Sequence, residues 1–149
     1  MWFAMVAAER VEDRDTIDLA AEVLLSLLAA GWDEQYGGLF TFLDARSGQP
    51  SQQEADRKVW WPHCEALVAL MLAWRLTRRT AFAEWYDRVH AYTWSHFPDP
   101  EYGEWYTSLN RQGEVVDPRK GFEYKGCFHV PRALWWCLRT LRQLEGEAG

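Results

Sequence analysis

Two short stretches of the sequence place side chains suited to acid–base chemistry ahead of an apolar helix. One contains Tyr124, Lys125 and His129 and leads directly into Pro131. Proline favours the first position of a helix, because its missing N–H would have no partner there. The second stretch, residues 58–67, has the same design, with an aromatic pair, a proline, a histidine and an acid. We call the start of each helix, where side chains from several elements can converge, its mouth. A histidine there could take up and return a proton near neutral pH.

The sequence therefore offers His129 and His63 as candidate catalytic residues. Glu65 is expected in the first turn of its helix, where it serves either as a structural cap or as a group of the site. Lys125 and Arg132 bracket His129, and they could hold an oxyanion or a substrate carbonyl, or simply pair with nearby acids. The other two histidines lie on or at the end of an outer helix, and we interpret them as surface residues.

The chain is rich in tryptophan, with ten in 149 residues. Most of these rings are expected in the core, yet an aromatic ring can also stack on the face of a sugar. The aromatic residues nearest the two mouths, and hence the candidate sugar platforms, are Trp60, Trp61, Tyr124 and Trp105.

A zinc site is a weaker alternative for the same histidines. His63 is followed by Cys64, and Cys127 lies two residues before His129. Adjacent residues on a helix point about 100° apart, and neither Cys-x-x-Cys nor His-x-x-x-His spacing is present. We therefore predict no metal. The chain also lacks a glycine-rich phosphate loop after a strand and a Gly-x-Ser-x-Gly elbow.

Composition narrows the class of partner and the compartment. Sixteen basic and 22 acidic residues give a net charge of −6 without a basic run, which argues against nucleic acid and membrane as partners. Three cysteines in no framework spacing favour a reducing compartment. No stretch approaches the roughly 20 apolar residues of a membrane span. The N-terminus lacks the features of a signal peptide, so we expect a cytoplasmic location.

Hydrophobic periodicity predicts an all-α chain of about five helices with short β-hairpins in the loops. The third and fifth helices are apolar on nearly every side, as buried helices are, whereas the fourth is amphipathic. The predicted helices span residues 1–11, 15–30, 62–76, 80–97 and 131–144, with a strand over 39–43, a polar turn over 46–53 and a hairpin over 103–116.

The sequence also repeats itself with a period of about 66 residues. Asp33 and Asp99 are 66 positions apart, and so are His63 and His129. Such a unit cannot bury its inner helix alone, so it must stack on copies of itself. We therefore expect one domain, an arc of a larger double ring of inner and outer helices. Its two repeats would span about 13–78 and 79–145, after an N-terminal helix stub.

Three stretches closely resemble the C-terminal motifs of the N-acylglucosamine 2-epimerase family, which includes the mammalian renin-binding protein. They are Lys58-Val-Trp-Trp-Pro-His-Cys-Glu-Ala-Leu, Asp99-Pro-Glu-Tyr-Gly-Glu-Trp-Tyr and Lys125-Gly-Cys-Phe-His-Val-Pro-Arg. Cellobiose 2-epimerases and aldose–ketose isomerases share the pattern more loosely. The resemblance covers nearly the whole chain and is strongest from residue 58 to 136.

The resemblance implies the C-terminal arc of an (α/α)6 toroid. It also implies epimerisation at C2 of a ring-opened N-acylated amino sugar, which interconverts N-acetylglucosamine and N-acetylmannosamine. His129 matches the family's C-terminal catalytic histidine, and Glu65 matches an acidic residue of the site. Trp61 and Tyr124 match positions that pack near the sugar, and His63 belongs to the amino-sugar branch's version of its motif. No cofactor is required for this chemistry, although ATP is an effector in some members.

The family's partner histidine and its carbonyl-binding arginine lie in an N-terminal part that this sequence does not contain. Inversion at C2 needs a proton donor on each face of the sugar, so we expect the chain to be incomplete as an epimerase. An open arc would also expose the flanks of its inner helices. We therefore expect it to associate with copies of itself or with a complementary chain.

Two other functions stay open at this point. One is a non-catalytic remnant that binds a sugar or a protein partner through the aromatic mouths. The other is a glycoside hydrolase on the same toroid, which would need two carboxylates across a cleft. Asp99 and Glu65 fall in different repeats, so they are poor candidates for that pair.

Overall fold

The protein is described here by a computed structural model that covers residues 1–44, 46–49 and 55–147. Five helices carry the fold, as predicted: α1 (Trp2–Arg10), α2 (Arg14–Gly31), α3 (Trp60–Thr77), α4 (Thr80–His96) and α5 (His129–Glu147). Three short strands, β1 (Lys58–Val59), β2 (Ser108–Leu109) and β3 (Val115–Asp117), form one antiparallel sheet in that order. Among these described residues, no helix combines the length and the hydropathy needed to cross a membrane.

Helices α3 and α5 both begin two residues earlier than predicted, at Trp60 and His129. The amides of a first helical turn have no acceptor within the helix, so a proline is tolerated at the third position as well as the first. The shift matters for the site. His129 is the first residue of its helix rather than part of the preceding loop, and Glu65 lies in the second turn of α3 rather than the first.

The strand predicted over residues 39–43 is not formed as a continuous strand, and only Leu39 and Leu43 in this range take part in a β-bridge. Leu39 makes a single antiparallel bridge to Trp32, and this bridge closes a loop after α2. The polar turn predicted over 46–53 lies partly outside the described residues. The predicted hairpin is present as β2 and β3, and β1 adds a third strand through the pairs Lys58 with Leu109 and Val59 with Ser108.

The loops that follow α2 and α4 have the same hydrogen-bond pattern. In the first, Asp33 Oδ1 accepts from the N–H groups two and three residues further on, at 3.1 and 3.3 Å. In the second, Asp99 Oδ1 does the same at 2.9 and 3.2 Å. Gly37 and Gly103 take left-handed φ angles of 75° and 72° at equivalent positions. The predicted period thus has a structural counterpart in these loops, while the proposed repeat boundaries stay a prediction.

Helix α3 lies at the centre of the fold and is buried on nearly every side, as its sequence predicts. It packs against α1, α2, α4 and α5. Helix α5 differs from its prediction, because it is buried on one face only. That face carries Val130, Ala133, Cys137 and Thr140. On the opposite face no described element covers the apolar side chains, which are Leu134, Trp135, Leu138 and Leu141.

Helices α1 and α3 run side by side in the same direction. At their starts, the Trp2 indole Nε1–H donates to Glu65 Oε2 at 2.7 Å. At their ends, Arg75 Nη2 and Glu9 Oε1 form an ion pair at 2.6 Å. Helix α5 also begins beside Glu65, so the N-terminal ends of α1, α3 and α5 lie close together, and we call this region the mouth.

Asp33, Lys58 and Arg111 form a cluster of charged side chains next to the segments that lead into α3. The Lys58 ammonium group donates to Asp33 Oδ2 at 3.0 Å, and Arg111 Nε donates to the same oxygen at 2.8 Å. Burial alone would raise the pKa of the Asp33 carboxyl, but the hydrogen bonds from Arg111 and Lys58 outweigh it and lower the pKa far below its ordinary range. The cluster ties the loop after α2 to the β2–β3 hairpin and to the strand that leads into α3.

Candidate functional site

The candidate site is centred on the Glu65 carboxylate of α3, which accepts hydrogen bonds from three side chains on two other helices, α1 and α5. His129 Nδ1 lies 2.7 Å from Oε1, and the Arg132 guanidinium also donates to Oε1. Trp2 Nε1–H donates to Oε2 at 2.7 Å. Because a carboxylate only accepts hydrogen bonds, this arrangement requires the proton of the imidazole to sit on Nδ1. The other ring nitrogen of His129, Nε2, is then a base.

Helix geometry explains why these residues meet. Residues three positions apart lie on one face of a helix, so His129 and Arg132 both reach the same side of α5. That side faces the second turn of α3, where Glu65 projects. The two interacting residues are 64 positions apart in sequence, and they come together because α3 and α5 pack along their length.

Aromatic rings surround the His129 imidazole on several sides. The ring centroids of Trp60, Trp61 and Phe128 lie 6.3, 6.2 and 5.0 Å from it. The side chain nevertheless stays 28 % exposed, so a ligand can reach it. Among the residues that the structure describes, none forms a hydrogen bond with Nε2. A partly exposed base framed by aromatic rings is suited to removing a proton from a bound ligand.

Trp61, a predicted sugar platform, lies at the edge of the mouth. It is partly exposed and lies beside His129. It also lines a groove of about 370 Å³ between α1, α2 and α3, together with Glu65 and Trp2. The groove is largely apolar, and among the described residues that line it Glu65 alone carries a carboxylate.

His63 is placed differently from His129, although the two have matching positions in the sequence. It is fully buried, and both of its ring nitrogens are engaged. Nδ1–H donates to the Val59 carbonyl at 2.8 Å, and Nε2 accepts from the Leu39 N–H at 3.0 Å. Burial lowers the pKa of His63 to about 4, so the ring stays neutral. With no free nitrogen and no exposure, His63 does not fit the catalytic role predicted for it; it anchors the loop after α2.

Lys125 does not fit its predicted role in substrate binding either. Its side chain is 1 % exposed, and its ammonium group has three partners. It donates to the Trp105 carbonyl at 2.6 Å, to the Lys120 carbonyl at 3.0 Å and to the Glu104 carboxylate. An ammonium group has three donors, so none is left for a ligand. Lys125 instead fixes the loop that leads into α5.

Trp105 belongs to the core rather than to the site. It is 3 % exposed, stacks on Phe97 at a centroid distance of 6.0 Å and meets the edge of Trp94 at 5.4 Å. Tyr124 has the opposite environment, with 79 % of its surface exposed. It contacts Phe122, which in turn contacts Trp60, so two rings separate it from His129.

Trp2 is the one residue of the cluster that the sequence did not single out for the site. Its position in the first turn of an inner helix was the available signal, since Glu65 and Arg132 also lie near the starts of inner helices. The histidine–cysteine pairs considered for zinc do not converge. No group of three or more His, Cys, Asp or Glu residues within the described ranges is arranged to hold a metal ion. All three cysteines are free thiols.

The chain is similar to known sugar epimerases in sequence and in fold. A family model described as N-acylglucosamine 2-epimerase (GlcNAc 2-epimerase) matches residues 1–130. The N-acylglucosamine 2-epimerase of Rattus norvegicus is 42 % identical over 152 aligned positions, which cover 99 % of this chain and 36 % of the rat protein. The chain therefore spans about a third of the length of the curated relatives it matches.

Solved structures agree with the predicted fold. A D-mannose isomerase superposes with a TM-score of 0.81 at 23 % identity, over 92 % of this chain and 34 % of that one. The cellobiose 2-epimerase of Bacillus thermoamylovorans gives 0.67 at 20 % identity, over 88 % and 32 % of the two chains. These neighbours are toroids of the (α/α)6 type, so the predicted fold class, an arc of such a toroid, is confirmed.

Proposed function

Because the chain belongs to the N-acylglucosamine 2-epimerase family, we propose that it supplies one acid–base half of a sugar 2-epimerase site. The proposed substrates are N-acetylglucosamine and N-acetylmannosamine in their ring-opened form. The observation that supports this most directly is the pairing of His129 Nδ1 with Glu65, which leaves Nε2 free at an exposed mouth.

The proposed step is a proton transfer at C2. His129 Nε2 takes the proton, and the electrons of the C–H bond form a C1=C2 double bond while the C1 carbonyl oxygen becomes negatively charged. Glu65 stabilises the imidazolium that results, because its carboxylate already accepts the Nδ1 proton. Return of a proton to the opposite face of C2 inverts the centre, and return to the same face regenerates the starting sugar.

Trp61 would support the sugar chain from one side, and Arg132 would act through Glu65 rather than on the sugar. The Arg132 guanidinium contacts the rings of Trp2 and Phe128, at 4.9 and 4.7 Å from their centroids, and its side chain is only 14 % exposed. This environment suits a residue that keeps the carboxylate in place. Neither the proton transfer nor this support requires a cofactor, and any effect of ATP would be that of an effector.

The opposite face of C2 needs a second proton donor, and His129 is the one histidine with a free ring nitrogen at this mouth among the described residues. We propose that full inversion uses a donor from outside these 149 residues. A cytosolic setting is part of the proposal, since all three thiols are free.

The second candidate is a sugar-binding module without catalysis. It is favoured by the same observation that limits the first proposal, namely a mouth with aromatic rings and a single available base. The two candidates differ in whether the C2 proton of a bound sugar exchanges with solvent.

Proton exchange at C2 tests the proposal. The chain would be incubated with N-acetylmannosamine in D2O, and entry of deuterium at C2 followed by NMR. We expect exchange that falls at least about 100-fold in His129→Ala, within the range of general acid–base catalysis. His90→Ala, which changes a histidine on the outer helix α4, should leave the rate unchanged. Absence of exchange in well-folded protein would overturn the epimerase half-site, and sugar-induced chemical-shift changes would then support the binding module.

A further inference from the structure

Trp2 contributes a third helix to the hydrogen-bonded cluster around Glu65. It is the first residue of α1 and is 8 % exposed. Its indole N–H donates to Glu65 Oε2 at 2.7 Å, and its ring lies 4.9 Å from the Arg132 guanidinium carbon. One rigid side chain therefore contacts both the carboxylate that orients His129 and the cation that holds that carboxylate.

The two oxygens of Glu65 are held from different directions. Oε1 accepts from His129 and Arg132, which both come from α5, while Oε2 accepts from Trp2 on α1. The last torsion angle of a glutamate side chain is broad, so donors on one oxygen leave the carboxylate plane poorly defined. A donor on the second oxygen, from another helix, fixes that plane. The indole is suited to this because it can donate but cannot accept.

The contact with Arg132 adds to the same effect. Its guanidinium carbon lies 4.9 Å from the Trp2 ring centroid and 4.7 Å from that of Phe128, and two of its nitrogens, Nε and Nη1, are buried without a hydrogen-bond partner. Cation–π interactions with these two rings stabilise the guanidinium cation. Loss of the Trp2 ring would therefore loosen Arg132 as well as Glu65.

We propose that Trp2 is a positioning residue for His129: its indole fixes the Glu65 carboxylate, and the carboxylate in turn holds the imidazole with the proton on Nδ1 and the base on Nε2. The expected effect of Trp2 on the rate of C2 exchange rests on the proposed function. The expected effect of Trp2 on the hydrogen bond between His129 and Glu65 does not depend on that function.

The test compares Trp2→Phe with Trp136→Phe in the full chain of 149 residues. Trp136 contacts the Trp2 ring at a centroid distance of 5.6 Å but has no hydrogen bond to Glu65, so it controls for aromatic packing at the same place. The first readout is the Nδ1 proton of His129, observed by NMR on histidine labelled with 15N. A hydrogen-bonded Nδ1 proton protected from solvent gives a downfield signal at neutral pH. We expect this signal in the wild type and in Trp136→Phe, and we expect it to be lost in Trp2→Phe.

The second readout is the rate of C2 exchange with N-acetylmannosamine. We expect Trp2→Phe to lower the maximal rate about tenfold, since a hydrogen bond to a charged group contributes at least that factor, with sugar affinity unchanged. A downfield signal and a rate that both persist in Trp2→Phe would overturn the proposal. If the wild type shows no exchange, the proposed function fails alone, and the NMR signal still decides the role of Trp2.

A second substitution covers the case in which Trp2→Phe does not fold. Replacement of Trp2 by 3-benzothienylalanine keeps the size and shape of the ring and puts sulfur in place of the N–H. It should preserve the packing on Arg132 and remove only the bond to Glu65. Loss of the His129 signal in this variant supports the proposal, and its retention contradicts it.

Discussion

Lys58 and Asp33 form an ion pair in the interior of the protein, with Nζ and Oδ2 3.0 Å apart and the two side chains 0 % and 1 % exposed. Arg111 reaches the same carboxylate from the β2–β3 hairpin. These three residues do not take part in the hydrogen bonds around Glu65. They connect the loop after α2, the β2–β3 hairpin and the strand that leads into α3. A buried pair of this kind is costly to break, because removal of one partner leaves the other charge without compensation.

Replacement of Asp33 by Asn should destabilise the protein strongly. It removes the negative charge that compensates Lys58 and Arg111, and we expect the free energy of unfolding to fall by about 3–5 kcal/mol. Urea denaturation followed by circular dichroism would measure the change. The control is Glu22→Gln, which breaks the exposed pair with Arg79 and should cost no more than about 1 kcal/mol. Equal small losses in both variants would show that the interior pair contributes little.

The buried His63 should make stability depend on pH below neutrality. Its pKa in the folded protein is about 4, whereas an unfolded chain has the ordinary value of 6.5. The unfolded state therefore binds the extra proton between these values, so stability is full above pH 6.5 and is lost as the pH falls toward 4. The slope should approach about 1.4 kcal/mol per pH unit. Urea denaturation at a series of pH values would measure it.

His63→Gln should remove that dependence on pH, at a cost in stability at pH 7. His90→Gln, at a partly exposed site on α4, should keep most of the slope. A His63→Gln variant whose stability still falls in parallel with the wild type would locate the titrating group elsewhere.

Trp61→Ala and Trp105→Ala should differ in which property they change, sugar binding for Trp61 and stability for Trp105. Trp61 lies beside His129 and is only partly buried, so its loss should weaken binding of N-acetylmannosamine up to about tenfold and should lower stability less than the loss of Trp105 does. Trp105 is buried, so its loss should lower the free energy of unfolding by about 3–5 kcal/mol. NMR titration with the sugar and urea denaturation would measure the two effects. Weaker sugar binding in a folded Trp105→Ala variant, with none in Trp61→Ala, would reverse this assignment.

The exposed face of α5 should cause the chain to associate with itself. Leu134 and Leu138 are 41 % and 48 % exposed, one helical turn apart and beside Trp135. Light scattering should show a mass above that of a monomer that rises with concentration. Leu134→Gln combined with Leu138→Gln should shift the chain toward the monomer, while Tyr102→Gln, at an isolated exposed residue, should not. A wild type that is monomeric at every concentration and binds little apolar dye would contradict this prediction.

The sequence predicts the helices well because each one combines a hydrophobic period with a clear end signal. It places the starts of α3 and α5 two residues late, because proline marks a first turn without fixing the position within it. The strand expected near Leu39 is absent because the chain there closes a loop onto Trp32 instead of pairing along its length.

The site shows where sequence reasoning stops. His63 and His129 occupy matching positions in the two sequence repeats. The local sequence does not reveal that the Leu39 N–H donates a hydrogen bond to Nε2 of His63. Lys125 and Trp105 resemble ligand groups in type, but long-range packing buries both. Trp2 joins the cluster through its hydrogen bond to Glu65, 63 positions away, and a pattern within one sequence cannot predict such a long-range contact.

The starts of α1, α3 and α5 lie together at the mouth, and this has an electrostatic consequence. Each helix carries roughly half a positive elementary charge at its start, from peptide dipoles aligned along the axis. The side chains there nearly balance, since the charge of Glu65 is offset by that of Arg132. The helix starts then set the sign of the local field, which attracts negative charge to one point of a protein with a net charge of −6. An oxygen that gains charge when a neighbouring proton leaves would be stabilised there by the backbone itself.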